Sequence, residues 1–231
     1  MEVLADAVAE AFRLLLSGDA ETWEIIARSL RISLTATALA LLAGLPIGAA
    51  LAFGRFRGRR LLLALVNTGM GVPPVVAGLV VTVLLWRSGP LGGLGLLYSP
   101  TAMVIAQTAI ALPLVAGLSA AALQHVDPDF RVQMQALGAG RARSLWTVAV
   151  EARLPLLAAG MAGFGAVVSE VGAALMVGGN IAGETRVLTT AAVLEASKGA
   201  FALALALGTI LLAMAFVVNL VLTAVQQRGH P

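Results

Sequence analysis

The chain has 231 residues, contains no cysteine and carries a formal net charge of +3 at pH 7. Hydrophobic residues make up 59% of it and charged residues only 12%, which lies well outside the range of soluble globular domains. This composition excludes an ordinary soluble domain and predicts an all-α, polytopic membrane protein, while the lack of cysteine excludes disulfides and thiolate metal sites.

The N-terminal segment, residues 1–24, is expected to be amphipathic and extracytoplasmic. Apolar residues recur in it at helical spacing with acidic residues between them, at Leu4, Val8, Phe12 and Leu15. This pattern predicts a helix lying at the outer membrane interface. Because the leading end is acidic, the segment lacks the pattern of a secretory signal.

Residues 25–225 are expected to form one transmembrane domain. A hydrocarbon core of ~30 Å requires roughly 20 mostly apolar residues per helix, and five stretches meet that requirement. The predicted spans cover residues 29–53, 61–86, 101–123, 154–177 and 201–225. Prolines inside the first and second spans are tolerated where neighbouring helices satisfy the freed carbonyls.

The basic residues predict how the chain is oriented in the membrane. One set of loops carries most of them, namely Arg55, Arg57, Arg59, Arg60, Arg131, Arg141, Arg143, Arg153 and Arg228. The opposite loops carry only Arg87, Arg186 and Lys198. Since basic residues near span ends are retained in the cytoplasm, the N-terminus is expected outside and the C-terminus inside. The arginines are thus explained as topology signals, and with 5% aromatic residues there is no stacking platform for nucleic acid.

The predicted cytoplasmic loop, residues 125–153, contains two amphipathic helices. Asp127 is a suitable N-cap and is followed by proline at the first helical position. One face of the first helix presents Phe130, Met134 and Leu137, and either Gly138 or Gly140 can end it. Two short helices of this kind either rest on lipid headgroups or dock in a groove of another protein.

At this loop the sequence resembles a known family. ALGAGRARSLWTV, residues 136–148, is similar to the cytoplasmic coupling segment of type I ABC-importer permeases. Gly138 matches the glycine of that segment, and Leu137 and Ala139 match its usual neighbours in the oxyanion importers. Val132 stands where the family has glutamate.

Longer stretches extend the resemblance over most of residues 25–225. Residues 67–79, 170–199 and 201–212 look like the permease subunits of tungstate importers, and more loosely like those for molybdate and sulfate. The resemblance implies a multi-pass inner-membrane protein with the type I ABC permease fold, which imports an oxyanion, tungstate above all, by alternating access.

The resemblance also implies the partners. It implies a homodimer of this chain, two cytoplasmic ATPase subunits that bind ATP and magnesium, and an extracytoplasmic oxyanion-binding protein. The residues expected to couple the chain to the ATPase are Phe130, Met134, Leu137, Gly138 and Ala139. The sequence itself contains no phosphate-binding loop and no nucleophile constellation. His125 and His230 are isolated from other metal ligands, so no catalytic residue, metal site or cofactor is expected in this chain.

Glu170 is the one acidic residue of the apolar fourth stretch. Burying a carboxylate in a span costs ~2.5 to 3.5 kcal/mol, so the side chain is expected to face protein or a water-filled cavity. It is open to three interpretations: a structural hydrogen-bond acceptor, part of a gate at the dimer axis, or an ion-binding group. An anionic substrate argues against the last, because like charges repel strongly at low dielectric.

An oxyanion pathway requires neutral hydrogen-bond donors, which replace hydration without trapping the ion. With Glu170, the pathway or gate candidates are Asn67, Thr68, Ser169, Asn180, Thr189 and Thr190. Each hydroxyl has an alternative role, which is to bond a carbonyl of its own helix. Residues 187–194 are apolar enough to dip into the membrane, and Gly44 and Gly48 predict a close helix contact in the first span.

Three other functions are consistent with parts of the pattern. A molybdate or sulfate permease belongs to the same class. An ion-coupled secondary transporter would use Glu170 to carry protons or cations, but such proteins often show inverted repeats, which five spans and one large loop fit poorly. A membrane interaction protein without transport activity is the third.

Overall fold

The computed structural model describes residues 2–227, with the side chains at positions 2–5, 128, 131, 135 and 141 excepted. The side chain of Leu4 and the residues Arg228 and His230, which the sequence analysis names, therefore lie outside the described part. Within it the regular structure is helical, as predicted. The helices are α1 Glu2–Leu16, α2 Ala20–Phe53, α3 Arg59–Met70, α4 Pro74–Leu85, α5 Pro100–Gln124, α6 Pro128–Ala136, α7 Arg141–Glu151, α8 Arg153–Val168, α9 Gly172–Gly178, α10 Leu188–Ser197 and α11 Phe201–Gln227.

Helix α5 is the centre of the bundle and contacts α2, α3, α4, α8 and α9. Its buried positions are mostly small: Ala102, Ala106, Ala111, Ala116 and Ala120. Small side chains let neighbouring backbones approach closely, which favours packing between apolar helices in a membrane. The helix begins at a defined point, because the Ser99 hydroxyl accepts a hydrogen bond from the Ala102 amide at 3.2 Å.

The predicted second span is not one continuous helix. Helices α3 and α4 are bent by 107° at a short break, where Pro73 has an extended ψ of 129°. Two consecutive prolines supply no backbone N–H, and each disfavours the α conformation of the residue before it. The predicted span over residues 61–86 is therefore made of two helices joined at this break.

The predicted fourth span is interrupted as well. Helix α8 ends at Val168, and the chain passes through residues 169–171 before α9 begins. A continuous helix over residues 154–177 is thus replaced by two pieces. At its other end α8 follows α7 after a bend of 73°.

The described helices are consistent with three to five membrane crossings. Three of them, α2, α5 and α11, are long and apolar enough to cross on their own. The number rises to five if each bent pair, α3 with α4 and α7 with α8, counts as one crossing. The predicted number of five lies at the top of this range.

The N-terminal helix α1 packs against α11. Ala7 and Ala11 are buried, whereas Val8 and Phe12 of the predicted apolar face are exposed. Ala11 belongs to a cluster with Ile25 of α2 and residues of α10 and α11. The helix is therefore attached to the bundle by Ala7, Ala11 and the partly buried Leu14 and Leu15, whereas Val8 and Phe12 are exposed.

Candidate functional site

The two helix breaks meet at one place, which we call the break junction: residues 71–75 and 169–173. A Cβ added to Gly78 would lie 2.5 Å from the Ala173 Cα, and one added to Gly172 would lie 2.6 Å from a Val75 methyl. The first turns of α4 and α9 are therefore in direct contact. Interrupted helices inside a membrane protein expose backbone groups that regular helices do not, and such breaks recur at substrate sites of transporters.

Glu170 lies at this junction and is 9% exposed. Its carboxylate accepts a hydrogen bond from the Ala173 amide at 2.7 Å, which satisfies one of the free N–H groups at the start of α9. Its main-chain carbonyl accepts from the Thr189 hydroxyl at 3.0 Å. The Glu170 side chain is therefore hydrogen-bonded to the start of α9, and its main chain is hydrogen-bonded to α10.

The three hydroxyl candidates near the junction all have partners. Thr190 is fully buried and its hydroxyl bonds both the amide and the carbonyl of Val187, each at 3.1 Å, which caps α10. Ser169 donates to the Gly165 carbonyl of its own helix at 2.8 Å but is exposed. Thr189, as described above, bonds Glu170. Of the three, only Ser169 presents its side chain on the surface of this single chain.

The remaining candidates lie elsewhere. Asn67 and Thr68 are exposed on the last turns of α3, on the other side of the proline break from α4. Asn180 follows α9 with a positive φ of 54°, and its side-chain carbonyl oxygen is buried without a hydrogen-bond partner among the described residues. The structure thus brings together Glu170 and Thr189 but does not gather all the candidates into one cluster.

Gln107 is a polar residue at this level that the sequence analysis did not select. It is only 3% exposed, and its Oε1 has no partner among the described residues. On the same helix Val115 contacts Gly163 of α8 and Met103 contacts Gly178 of α9, so Gln107 lies on α5 between the points where α5 packs against these two helices. A side-chain amide within a predicted span is costly to bury, so the position of Gln107 in the third span was the signal by which the sequence could have marked it.

The segment after α9 is fixed to the start of α2. The Arg28 guanidinium donates to the carbonyls of Arg186 and Gly183 at 2.9 and 2.7 Å. Arg186 in turn pairs with Glu21 at 3.2 Å. These hydrogen bonds and this ion pair have no signal in the sequence, because pairing between residues some 155 positions apart leaves no local pattern.

On the opposite side of the bundle, α6 and α7 form the predicted helical pair. Gly138 has a φ of 81°, and the Ala139 amide bonds the Met134 carbonyl at 3.0 Å, so the helix ends at the first of the two predicted glycines in a left-handed turn. The predicted apolar face is divided, however. Phe130 packs on its own chain beside Val148 and Ala152, whereas Leu137 is 80% exposed.

The described residues contain no group of three or more histidine, cysteine or acidic side chains placed to hold a metal ion. Such a group would have been the structural sign of a metal centre. The chemistry of the break junction is instead that of neutral hydrogen-bonding groups around one partnered carboxylate.

A bundle with paired helix breaks and an exposed helical hairpin is typical of a membrane transport subunit. The family model described as "Binding-protein-dependent transport system inner membrane component" matches residues 44–229, and the chain belongs to this family. The expected location in the inner membrane is thereby confirmed.

Curated relatives agree with the resemblance read from the sequence. The chain is 38% identical over 98% of its length, and 100% of the relative's, to the tungstate uptake system permease protein TupB of Peptoclostridium acidaminophilum. It is 44% identical to a probable anion ABC transporter permease protein of Haloferax volcanii, over 84% of this chain and 86% of the other. The molybdenum transport system permease protein ModB of Escherichia coli K12 is 30% identical over 73% and 77% of the two chains. The resemblance to tungstate permease subunits is confirmed.

Solved structures support the same fold. The chain superposes on the MetNI methionine ABC transporter in an inward-facing conformation with a TM-score of 0.72 at 18% identity, covering 90% of this chain and 94% of the other. An amino acid ABC transporter solved with histidines gives a TM-score of 0.68 at 19% identity, covering 93% and 96%. At these identities the likeness concerns the fold alone.

Proposed function

We propose that this chain is the permease subunit of an ATP-driven importer of an oxyanion, with tungstate as the substrate. The observation that carries the proposal is the 38% identity to a tungstate uptake permease over nearly the whole of both chains. Molybdate is the second candidate, because molybdenum permeases are also among the relatives. The chain itself is not an enzyme in this proposal, since ATP is hydrolysed by a separate subunit.

The proposed topology has five crossings: α2, α3 with α4, α5, α8 with α9, and α11. Helix α7 is assigned to the cytoplasmic hairpin and not to the fourth crossing. The N-terminus lies outside and the C-terminus in the cytoplasm, as the arginine distribution favours. Two copies of the chain form the pathway, with the break junction of each copy beside it. The exposed side chains of Asn67 and Thr68 then supply neutral donors to a passing anion, and Ser169 can join them only by releasing its bond to the Gly165 carbonyl.

Glu170 has a structural role in this proposal. Its carboxylate already accepts a hydrogen bond within its own chain, and a bare negative charge beside a dianion in a low-dielectric pathway opposes entry. Glu170 therefore shapes the second break, and the neutral groups bind the substrate.

The hairpin of α6 and α7 is the proposed contact with the ATPase, and Leu137 is its principal side chain. An apolar side chain that is 80% exposed at the end of a short helix is suited to insert into a groove of a partner. Phe130 acts indirectly, because its packing against Val148 holds the hairpin on the bundle.

The transport proposal is tested by reconstitution. The chain is placed in vesicles with its ATPase and binding protein, and uptake of labelled tungstate is measured in competition with molybdate and sulfate. We expect uptake to require ATP and to be inhibited by unlabelled tungstate more than by sulfate. Uptake that proceeds without nucleotide would contradict the mechanism.

The coupling proposal is tested by Leu137→Ala, with Leu94→Ala as the matched control. Both leucines are exposed, 80% and 62%, and lie in turns on opposite sides of the bundle in the proposed topology. We expect Leu137→Ala to reduce co-purification of the ATPase and tungstate uptake while leaving thermal stability unchanged, and Leu94→Ala to change neither. Equal ATPase recovery with both variants would exclude Leu137 from the contact.

A further inference from the structure

A concentration of positive charge between α2 and α3 is not used by the transport mechanism. Residues 52–60, which we call the arginine turn, curl around an open cavity of about 750 Å³. Four of the nine lining residues are arginines, and none is acidic. The turn joins the end of one apolar helix to the start of another, so in a membrane it lies at the level of the lipid headgroups.

Among the described residues, one of the four arginines forms a hydrogen bond with the protein. The Arg59 Nε donates to the Leu51 carbonyl at 2.8 Å, which fixes the turn. Arg55, Arg57 and Arg60 are exposed and form no ion pair with any carboxylate in residues 2–227. Three guanidinium groups therefore stand close together without the counter-charge that such a group ordinarily has.

The surroundings of these arginines are those of a lipid boundary. Phe56, Leu61 and Leu62 alternate with or follow the arginines and are exposed. The first turn of α3 has no side-chain cap, because Gly58 stands at the N-cap with a φ of 89°. Its free N–H groups and positive dipole end add to the attraction for an anion.

We propose that the arginine turn binds the headgroups of anionic phospholipids from the membrane that surrounds the chain. Guanidinium groups bind phosphate oxygens in a bidentate fashion, and the exposed apolar side chains are placed to contact the acyl chains of the same lipids. A basic cluster immediately beside a span is typical of anionic lipid recognition. This proposal goes beyond the transport function and does not depend on which oxyanion is carried.

The test measures lipid selectivity on the complete transporter. The complex is reconstituted in phosphatidylcholine vesicles, and spin-labelled phosphatidylglycerol and spin-labelled phosphatidylcholine are compared by the motionally restricted fraction of each. Since each basic residue near an anionic surface contributes about a fivefold factor, we expect the phosphatidylglycerol probe to be preferred about fivefold or more. Equal restriction of the two probes in the wild type would overturn the proposal.

Variants test whether the arginine turn is responsible for the preference for phosphatidylglycerol. The triple variant Arg55→Gln, Arg57→Gln, Arg60→Gln is expected to abolish it, while a triple variant with the same loss of charge elsewhere, Arg13→Gln, Arg87→Gln, Arg143→Gln, retains it. The reverse result, or loss in both, would refute a site at the arginine turn. Because neutralising arginines beside a span also affects insertion, the Arg→Lys triple at the same three positions is measured in parallel. It keeps the charge but loses the bidentate geometry, so it is expected to keep a weaker preference for phosphatidylglycerol, and complete loss of the preference would also count against the proposal.

A further experiment distinguishes binding of a lipid headgroup from binding of a soluble anion. Millimolar inorganic phosphate is added and compared with chloride at the same ionic strength. We expect the restricted fraction of phosphatidylglycerol to be equal in the two salts. Displacement by phosphate alone would show that the arginine turn binds a free oxyanion and not a lipid headgroup. Uptake is not measured in these experiments, so their failure is distinct from failure of the transport proposal.

Discussion

Replacing Gly48 with alanine is expected to separate the two most closely packed helices of the bundle. A Cβ at this position would lie 2.8 Å from the Ser119 Cβ, 2.9 Å from the Ala116 carbonyl oxygen and 3.0 Å from the Ala120 amide nitrogen. Two of these three atoms belong to the backbone of α5 and cannot rotate away. Helices α2 and α5 must therefore move apart over part of their shared length.

The magnitude follows from two opposing effects. Overpacking a well-packed contact costs about 1–3 kcal/mol, and a backbone clash places this substitution in the upper half of that range. Alanine is favoured over glycine inside a helix by up to about 1 kcal/mol. The net loss of stability is then about 1–2 kcal/mol, which corresponds to a fall in Tm of roughly 2–8 °C for a chain of this size.

Gly165→Ala and Gly208→Ala are the matched controls. Both glycines lie inside helices, and a Cβ at either position meets no atom of the described chain within 4 Å. Without a clash, only the gain in helix propensity remains, so each control is expected to be neutral or up to about 1 kcal/mol more stable. Thermal unfolding of the purified protein in detergent, followed by the loss of the monodisperse peak, compares all three variants. If Gly48→Ala is as stable as the controls, close approach of α2 and α5 does not limit the packing of this fold.

Three further predictions concern single hydrogen-bonding groups. Glu170→Ala removes the acceptor of the Ala173 amide and is expected to lower stability by about 1–3 kcal/mol. Glu170→Gln keeps an acceptor and is expected to retain both stability and uptake. A Glu170→Gln chain that folds but does not transport would instead show that the negative charge acts in the pathway. Arg28→Gln is expected to speed hydrogen exchange in the segment 179–187, and Arg31→Gln, which changes an arginine with no bond to that segment, is expected to leave it unchanged. The side chain and backbone amide of Thr22 donate hydrogen bonds to Asp19 and lower its pKa below 3.8. The ionised Asp19 cap therefore stabilises the fold above that pH, and this stabilisation is lost as the pH falls through the folded-state pKa. Asp19→Asn should remove this acid dependence of amide exchange at the start of α2, and an unchanged acid profile would contradict the assignment.

The apolar stretches and their limits were readable from the sequence because they depend on local composition. A helix in lipid satisfies its backbone within the segment, so hydropathy alone located α2, α5 and α11. The predicted hairpin also depended on local signals. Asp127, the proline after it and Gly138 set the ends of α6, and the structure confirms the start at Pro128 and the left-handed turn at Gly138.

The two helix breaks were not predictable from the sequence. Pro73 and Pro74 were visible, but proline inside a span is tolerated when neighbours satisfy the freed carbonyls, so the sequence did not distinguish a kink from a bend of 107°. The break at residues 169–171 contains no proline. The Glu170 carboxylate accepts from the Ala173 amide at this break, and α9 packs against α4, a contact between distant segments that no local pattern reveals.

The sequence alone determined the class of the protein, its family resemblance and the approximate limits of α5, α6 and α11, because these follow from composition, spacing and local capping. Tertiary structure decided which face each helix buries. It turned Phe130 toward the bundle and left Leu137 exposed, and it buried Gln107 with its side-chain oxygen unpartnered among the described residues. These outcomes depend on contacts between segments that are distant in sequence, and no local periodicity carries that information.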